Sequence, residues 1–161
     1  MLFRSLSDGE SKVGVLTDCG HETAEVAAAY AGCDVLALEA NYDVTMLQYG
    51  PYPPSLKRRV GGRLGHLSNE QSAALLGMMM QAGPPPKVVI ASHISAANNR
   101  PALARSTLAR VLGRSGRVIV ATGRGAPIFV IEGGRVRIEP MRNEQLSFSF
   151  SASPNDRPIL S

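Results

Sequence analysis

The stretch VGVLTDCG, residues 13–20, decides the fold, because it runs from an apolar segment directly into a carboxylate and a glycine. Val13 to Leu16 reads as a buried strand, and Asp18 follows it after one residue. A carboxylate at such a position is costly unless a positive group or a set of donors lies opposite it. Asp18 therefore predicts either a bound cation or an N-cap for a helix starting near His21, since Asp is a favoured cap.

The segments around this stretch alternate between short apolar strands and helices. Residues 2–6 and 12–17 predict a hairpin around the turn SDGE, and DVLAL (34–38) and KVVIA (87–91) predict two buried strands. Helical patterns cover residues 21–31, 42–48, 55–60, 69–81 with Asn69 as N-cap, and 101–112. Residues 117–121 and 127–132 predict a second hairpin, to which 136–138 adds a strand. This order predicts an α/β fold with a layered sheet.

Composition sets broad limits on the class of protein. A chain of 161 residues with 44% hydrophobic and 19% charged residues predicts one globular domain. The net charge of +4 is compatible with a polyanionic partner but is weak evidence for one. Cys19 and Cys33 are too few for a disulfide framework, which favours reduced thiols and a cytoplasmic location. No apolar run reaches the length of a membrane span, so we expect no membrane association.

Polar residues follow the apolar strands at their carboxyl ends. Thr17-Asp18 ends one strand, Glu39-Ala40-Asn41 the next and Ser92-His93 the third, while His66 lies in a glycine-rich loop. Ligands of layered α/β folds bind at this edge of the sheet. One Asp, one Glu and two His predict a metal-assisted hydrolase. Asp18 and His93 are the candidate ligands, Glu39 is better suited to orienting a histidine, and His66 to donating a proton.

Each of these residues also has a simpler interpretation. Glu39 could pair with Arg58 or Arg63, His66 could be an exposed loop residue, and His93 could be structural. The LKRR run (56–59) is usually a solvated helix face. The four residues together, at one predicted edge, favour the metal site.

Four longer stretches resemble the C-terminal part of a metallo-β-lactamase-fold hydrolase of the YycJ-type DNA exonuclease branch. They are VGVLTDCG (13–20), LALEANYD (36–43), MLQYGPYPPSLKRRVGGRLGHLSNEQSAALL (46–76) and VVIASHISAANNRP (88–101). The resemblance implies half of an αββα sandwich, a two-metal site for zinc or manganese, and DNA as partner. It implies that Asp18 bridges the metals, that His93 is the last histidine ligand, and that His66 is a proton donor oriented by Glu39. The implied substrate contacts are Asn41, Ser95 and Asn98 along the substrate path and Arg58, Arg59 and Arg63 on backbone phosphates.

The sequence departs from the family pattern in two places. Tyr42 stands where many relatives have a histidine, and the H-x-H-x-D-H motif is absent, since the only histidines are His21, His66 and His93. We therefore expect residues 1–141 to form a partial domain and 142–161 a mostly disordered tail. Whether the chain alone is an enzyme stays open. It could be inactive by itself, it could be a non-catalytic module that completes a partner chain or dimerises, or it could be a relative acting on RNA or small esters.

Overall fold

The computed structural model describes residues 2–121, 127–132 and 135–139 of the chain. The predicted tail at 142–161 lies outside the described residues, and the domain bounds 1–141 stay a prediction.

Five strands form one mixed sheet in the order β1-β2-β3-β4-β5. The strands are β1 Leu2–Ser7, β2 Lys12–Thr17, β3 Val35–Glu39, β4 Val88–Ser92 and β5 Arg117–Val120. The pair β1–β2 is the expected antiparallel hairpin, and β2, β3, β4 and β5 run parallel to one another. Two further strands, β6 Ile128–Glu132 and β7 Arg135–Glu139, pair only with each other within the described ranges.

Five helices connect the strands. They are α1 Ala24–Tyr30, α2 Val44–Tyr49, α3 Pro54–Val60, α4 Asn69–Ala82 and α5 Pro101–Leu112. Local caps set several of their ends. The Thr23 side chain accepts from the Val26 N–H at the start of α1, and Ser68 and Gln71 form a reciprocal capping box on α4. Among the described residues, no helix combines the length and apolar character needed to cross a membrane.

The two faces of the sheet have different covers. Alternate strand residues such as Leu36, Leu38 and Val89 pack against α1, α4 and α5 in the larger core. The opposite face carries Val35, Val88 and Ile90, against which apolar residues of β6 and β7 pack. The helices and the β6–β7 pair thus fix the sheet from both sides and leave its carboxyl edge to the loops.

Three sequence-based expectations about the elements are wrong. Residues 117–121 do not form a hairpin with 127–132, because β5 pairs in parallel with β4 and β6 pairs with β7. The first helix starts at Ala24 rather than His21, with Thr23 and not Asp18 as its cap. The cap of α4 is Ser68, and Asn69 is its first residue.

Candidate metal centre

Asp18 and His93 follow the carboxyl ends of β2 and β4, and both have left-handed backbone conformations. Their φ angles are 57° and 56°, and they are the only non-glycine residues with positive φ in the part of the chain that the structure describes. Such conformations are uncommon for residues other than glycine and are concentrated at functional sites. Each strand therefore ends in a sharp turn that brings its polar side chain over the sheet edge.

Glu39, the last residue of β3, lies between these two turns and is fully buried. Its Oε1 atom lies 2.8 Å from Nδ1 of His66 and 2.8 Å from Nδ1 of His93. Its Oε2 atom accepts the backbone N–H of Cys19 at 2.9 Å. Three donors thus compensate a carboxylate that is removed from water.

This arrangement defines which imidazole nitrogens are available. An ionised carboxylate only accepts hydrogen bonds, so both rings direct an Nδ1–H group at Glu39. The Nε2 atoms of His66 and His93 are then left for a metal ion or for a proton. The two rings meet edge to face, with centroids 4.8 Å apart and planes at 87°.

Asp18 completes the group from the solvent side. Its Oδ1 atom lies 3.6 Å from Nδ1 of His66 and 3.7 Å from Nδ1 of His93, and its side chain is half exposed. Candidate ligand atoms of Asp18, Glu39, His66 and His93 all lie within 4.8 Å of one another. Residues separated by up to 75 positions in the sequence, the span from Asp18 to His93, therefore meet in one cluster, which we call the edge cluster.

The simpler interpretations of these residues do not describe the structure. Glu39 pairs with the two histidines rather than with Arg58 or Arg63, and Asp18 caps no helix among the described elements. His66 is held by Glu39 and is not a free loop residue.

Glycines allow the loop that carries His66 to approach the loop that follows β2. A Cβ atom on Gly20 would lie 2.1 Å from the carbonyl oxygen of Arg63, and one on Gly65 would lie 2.2 Å from that of Val60. Both positions therefore require glycine for close backbone approach. His21 reinforces the junction, because its Nδ1 lies 3.1 Å from the Arg63 carbonyl oxygen and its Nε2 lies 3.4 Å from the Arg63 guanidinium.

The three residues expected along the substrate path are more enclosed than the sequence indicates. Asn41 is 7% exposed and donates from Nδ2 to the His93 carbonyl oxygen at 2.7 Å. Ser95 is half-buried and accepts the Asn98 N–H through its hydroxyl at 3.2 Å. Asn98 is fully buried, and its side-chain amide has no hydrogen-bond partner within the described residues. Asn41 thus holds the turn of His93 in place.

The three arginines expected to contact phosphates lie on α3 and on the loop that follows it. Arg58 and Arg59 belong to α3, and Arg58 borders an apolar cavity of about 380 Å³ that Tyr42, Val44 and Leu47 also line. All three arginines, Arg58, Arg59 and Arg63, are exposed. Arg63 lies on the loop that leads to His66.

Sequence reasoning missed several groups that support the edge cluster. The backbone N–H of Cys19 donates to Glu39. The Cys19 thiol donates to the His21 carbonyl oxygen at 3.1 Å, and burial raises the pKa of this thiol. Behind β3, the amides of Asn69 and Asn99 bind each other, and Asn99 also donates to the Ala40 carbonyl oxygen at 2.8 Å. The dipeptide Asn98-Asn99 after a buried strand was the available signal, because buried amides require partners.

The donor set suits a divalent metal ion in kind and falls short in number. Asp18 offers a half-exposed carboxylate oxygen, and His93 and His66 offer Nε2. Glu39 has both oxygens engaged and is buried, so it serves the histidines as an orienting carboxylate. A zinc site normally has three or four protein ligands. Asp18 and His93 therefore fit such an ion as part of a larger ligand set.

Comparison with known proteins finds similar bacterial relatives and similar solved structures, among them the following three proteins. The chain is 32% identical over 115 residues to exodeoxyribonuclease YycJ of Bacillus anthracis, a match that covers 71% of this chain and 43% of that protein. It is 35% identical over 113 residues to exodeoxyribonuclease WalJ of Streptococcus pneumoniae, covering 70% and 41%. The metallo-β-lactamase fold protein YhfI of Bacillus subtilis superposes with a TM-score of 0.53 at 15% identity, covering 74% of this chain and 40% of that one. No protein-family model matches the chain.

The sheet, its helical layer and the edge cluster define the class: the chain has the metallo-β-lactamase fold. Within that class its sequence is similar to the YycJ and WalJ proteins over 71% and 70% of the chain, which confirms the predicted resemblance. The chain spans less than half the length of these relatives.

Proposed function

We propose that this chain is part of a divalent-metal-dependent phosphodiesterase that acts on the ends of DNA. The observation that carries the proposal is the convergence of Asp18, Glu39, His66 and His93 within 4.8 Å at the carboxyl edge of the sheet. The names of the two relatives, both exodeoxyribonucleases, supply the reaction class and DNA as substrate.

Asp18 and His93 are the proposed metal ligands. A divalent ion held there, zinc or manganese, would act as a Lewis acid on the phosphoryl oxygens of the substrate. The left-handed turns at both residues and the Asn41 contact to the His93 carbonyl fix the two side chains before any ligand arrives. Such fixed geometry is what a metal site requires of its protein.

His66 is the proposed proton donor to the leaving 3′ oxygen. Its Nδ1–H is held by Glu39 at 2.8 Å, which leaves Nε2 as the atom that holds the proton. The buried Glu39 carboxylate sets the orientation of the ring. Because Glu39 holds His93 in the same way, it positions a ligand and the acid together.

The remaining predicted contacts divide into two groups. Arg58, Arg59 and Arg63 are proposed to bind backbone phosphates of the DNA, which makes binding dependent on salt. Asn41 is buried and is proposed to position His93 through its carbonyl oxygen, while Asn98 and the half-buried Ser95 stay candidate substrate contacts.

Metal binding tests the site directly, and His21 provides a matched control. Titration of Mn²⁺ into the purified chain, followed by electron paramagnetic resonance, measures free and bound ion. We expect His93→Ala to weaken binding at least tenfold and His21→Ala, outside the edge cluster, to change it less than about threefold. Equal losses of Mn²⁺ affinity in the two variants would show that the edge cluster is not the metal site.

A nuclease assay tests the activity. We propose that the chain alone shows little or no turnover on single-stranded DNA with Mn²⁺, because Asp18 and His93 are too few ligands for a tight site. Addition of a polypeptide that carries an H-x-H-x-D-H motif should restore cleavage, and RNA and a small ester serve as competing substrates. Robust turnover by the chain alone would contradict the proposal that its metal site is incomplete. Restored cleavage of RNA but not of DNA would contradict the proposal that DNA is the substrate.

The open face of the sheet favours a second role, completion of a partner chain or dimerisation. Val13, Ala37 and Ile119 are only partly buried on the face that β6 and β7 partly cover. Apolar sheet surface of this kind favours association. Light scattering on protein eluting from a size-exclusion column distinguishes a dimer from a monomer.

The proposed location of the protein is cytoplasmic. Cys19 and Cys33 are both buried and free, which is consistent with this location.

A further inference from the structure

A second charged site lies at the opposite end of the sheet from the edge cluster. It is an open cavity of about 680 Å³ whose lining includes four cationic residues, Lys87, Arg114, Arg117 and Arg135. We call it the basic cavity. Lys87 directly precedes β4, whereas the edge cluster follows the other end of the same strand. Four residue steps along β4 separate the two ends by roughly 13 Å, so the sites are distinct.

The backbone beneath the basic cavity is hydrogen-bonded between neighbouring segments. The Lys87 N–H binds the Asp34 carbonyl oxygen at 2.9 Å, and the Arg117 N–H binds the Lys87 carbonyl oxygen at 2.9 Å. Gly116 has no room for a side chain, because a Cβ atom there would lie 2.4 Å from the Pro86 carbonyl oxygen. Lys87 and Arg117 therefore lie at the hydrogen-bonded amino ends of β4 and β5, whereas Arg135 comes from β7.

The acidic groups near the cavity offset only part of its positive charge. Asp34 accepts Lys87 at 2.7 Å and the Lys12 N–H at 2.9 Å, so it offsets the Lys87 charge. On β7, Glu139 lies 3.4 Å from Arg137, and Glu132 faces Arg135 across the β6–β7 pair. Within the described ranges, Arg114, Arg117 and Arg135 form no ion pair within 4.0 Å.

Three guanidinium groups from two separate parts of the chain, without an ion-pair partner among the described residues, mark a site for a phosphate-bearing ligand. Guanidinium groups bind phosphate oxygens through paired N–H donors, and several of them around one cavity produce a local positive potential. We propose that the basic cavity binds phosphate groups of a nucleic acid strand, independently of the metal site. The chain would then hold nucleic acid at both ends of the sheet.

The experiment measures binding of a fluorescein-labelled thymidine oligomer of about 20 nucleotides by anisotropy, in EDTA, at several NaCl concentrations. The test variant is Arg117→Gln/Arg135→Gln. The control is Arg105→Gln/Arg110→Gln, which removes the same charge from α5 outside the cavity. Each lost phosphate contact of a single strand lowers the slope of log K against log salt by about 0.7. We expect the test variant to lose about 1.4 and the control at most a few tenths.

Two further measurements complete the design. Thermal melts of all variants show whether each stays folded, and His93→Ala should keep the parental salt slope, which separates this site from the proposed active site. Competition by thymidine monophosphate distinguishes a mononucleotide from a nucleic acid strand as the ligand, because a site for the phosphate backbone of a strand binds the oligomer much more tightly. Equal slopes for the test and control variants, or a mononucleotide that competes as well as the oligomer, would overturn the proposal.

Discussion

Replacing Gly20 by alanine is expected to destabilise the chain, whereas the same replacement at Gly77 is expected to stabilise it. A Cβ added at Gly20 would meet three backbone atoms, at 2.1 Å and 2.4 Å from Arg63 and at 2.7 Å from Gly65. A Cβ added at Gly77, inside α4, would have one ordinary contact, at 3.8 Å from Val111. One kind of substitution therefore gives opposite results in two places.

The magnitudes follow from these contacts. Real Cβ atoms essentially never approach closer than 3.0 Å, so the Arg63 loop must retreat by about 1 Å. Overpacking of this kind costs about 1–3 kcal/mol. Alanine in a helix interior is favoured over glycine by roughly 0.5–1 kcal/mol. The two variants should therefore differ in free energy of unfolding by about 1.5–4 kcal/mol.

Urea denaturation followed by circular dichroism measures the difference, and Mn²⁺ titration adds a second readout. Because the Arg63 loop leads to His66, Gly20→Ala should also weaken metal binding, while Gly77→Ala should leave it unchanged. A Gly20→Ala chain within about 0.5 kcal/mol of the parent would show that the Arg63 loop yields freely, and the close-approach argument would then be wrong.

Three other changes test the charged groups and the packing. Glu39→Gln leaves at least one of three buried or half-buried donors without an acceptor, so we expect the free energy of unfolding in urea to fall by about 1–3 kcal/mol. The control is Glu70→Gln, a neutral exchange at an exposed position. An unchanged or higher stability of Glu39→Gln would contradict the hydrogen-bond count. Burial raises the pKa of Asp34, but Lys87 and the Lys12 N–H outweigh it and leave that pKa below its usual value. The stability that Asp34 contributes is thus complete above the unfolded pKa of about 3.9 and is lost as the pH falls through the lower folded pKa. Asp34→Asn should therefore lower the free energy of unfolding by about 1 kcal/mol at neutral pH and by progressively less below about pH 4. A loss of stability that does not depend on pH would refute the charge argument. Gly14→Ala should lower the free energy of unfolding by about 1–3 kcal/mol in the same assay, because its Cβ would lie 2.6 Å from the Tyr30 ring and 2.9 Å from the Cys33 sulfur. An unchanged stability of this variant would show that the Tyr30 ring moves aside.

Local sequence signals predicted most of the elements, and the errors arise where partners are distant. The strands 34–38 and 87–91 and the helix 101–112 lie within a residue of β3, β4 and α5, because apolar runs and a proline at a helix start are local features. The hairpin predicted for 117–121 and 127–132 was wrong because strand pairing depends on tertiary packing. The helix α5 returns the chain so that β5 lies parallel beside β4, a β-α-β connection that outweighs the short separation from β6.

The edge cluster was predictable as a group but not in its internal pairing. Strand ends and a glycine loop placed Asp18, Glu39, His66 and His93 at one edge. The sequence offered one histidine as the partner of Glu39, whereas Glu39 Oε1 accepts from both. That second contact depends on the left-handed turn at His93, which residue preference alone does not predict, because positive φ is uncommon in any residue other than glycine.

The shared carboxylate connects the fold to the proposed chemistry. Glu39 lies at the end of the middle strand of β2, β3 and β4, and its three hydrogen bonds reach the loop after β2, the loop before α4 and the loop after β4. Any displacement of one loop therefore disturbs the orientation of a proposed ligand and the proposed acid together. The strained turns at Asp18 and His93 persist because these contacts, with the Asn41 amide beneath them, determine the backbone from several sides. The proposed ligands and the proposed acid are thus held in one arrangement by contacts within this chain.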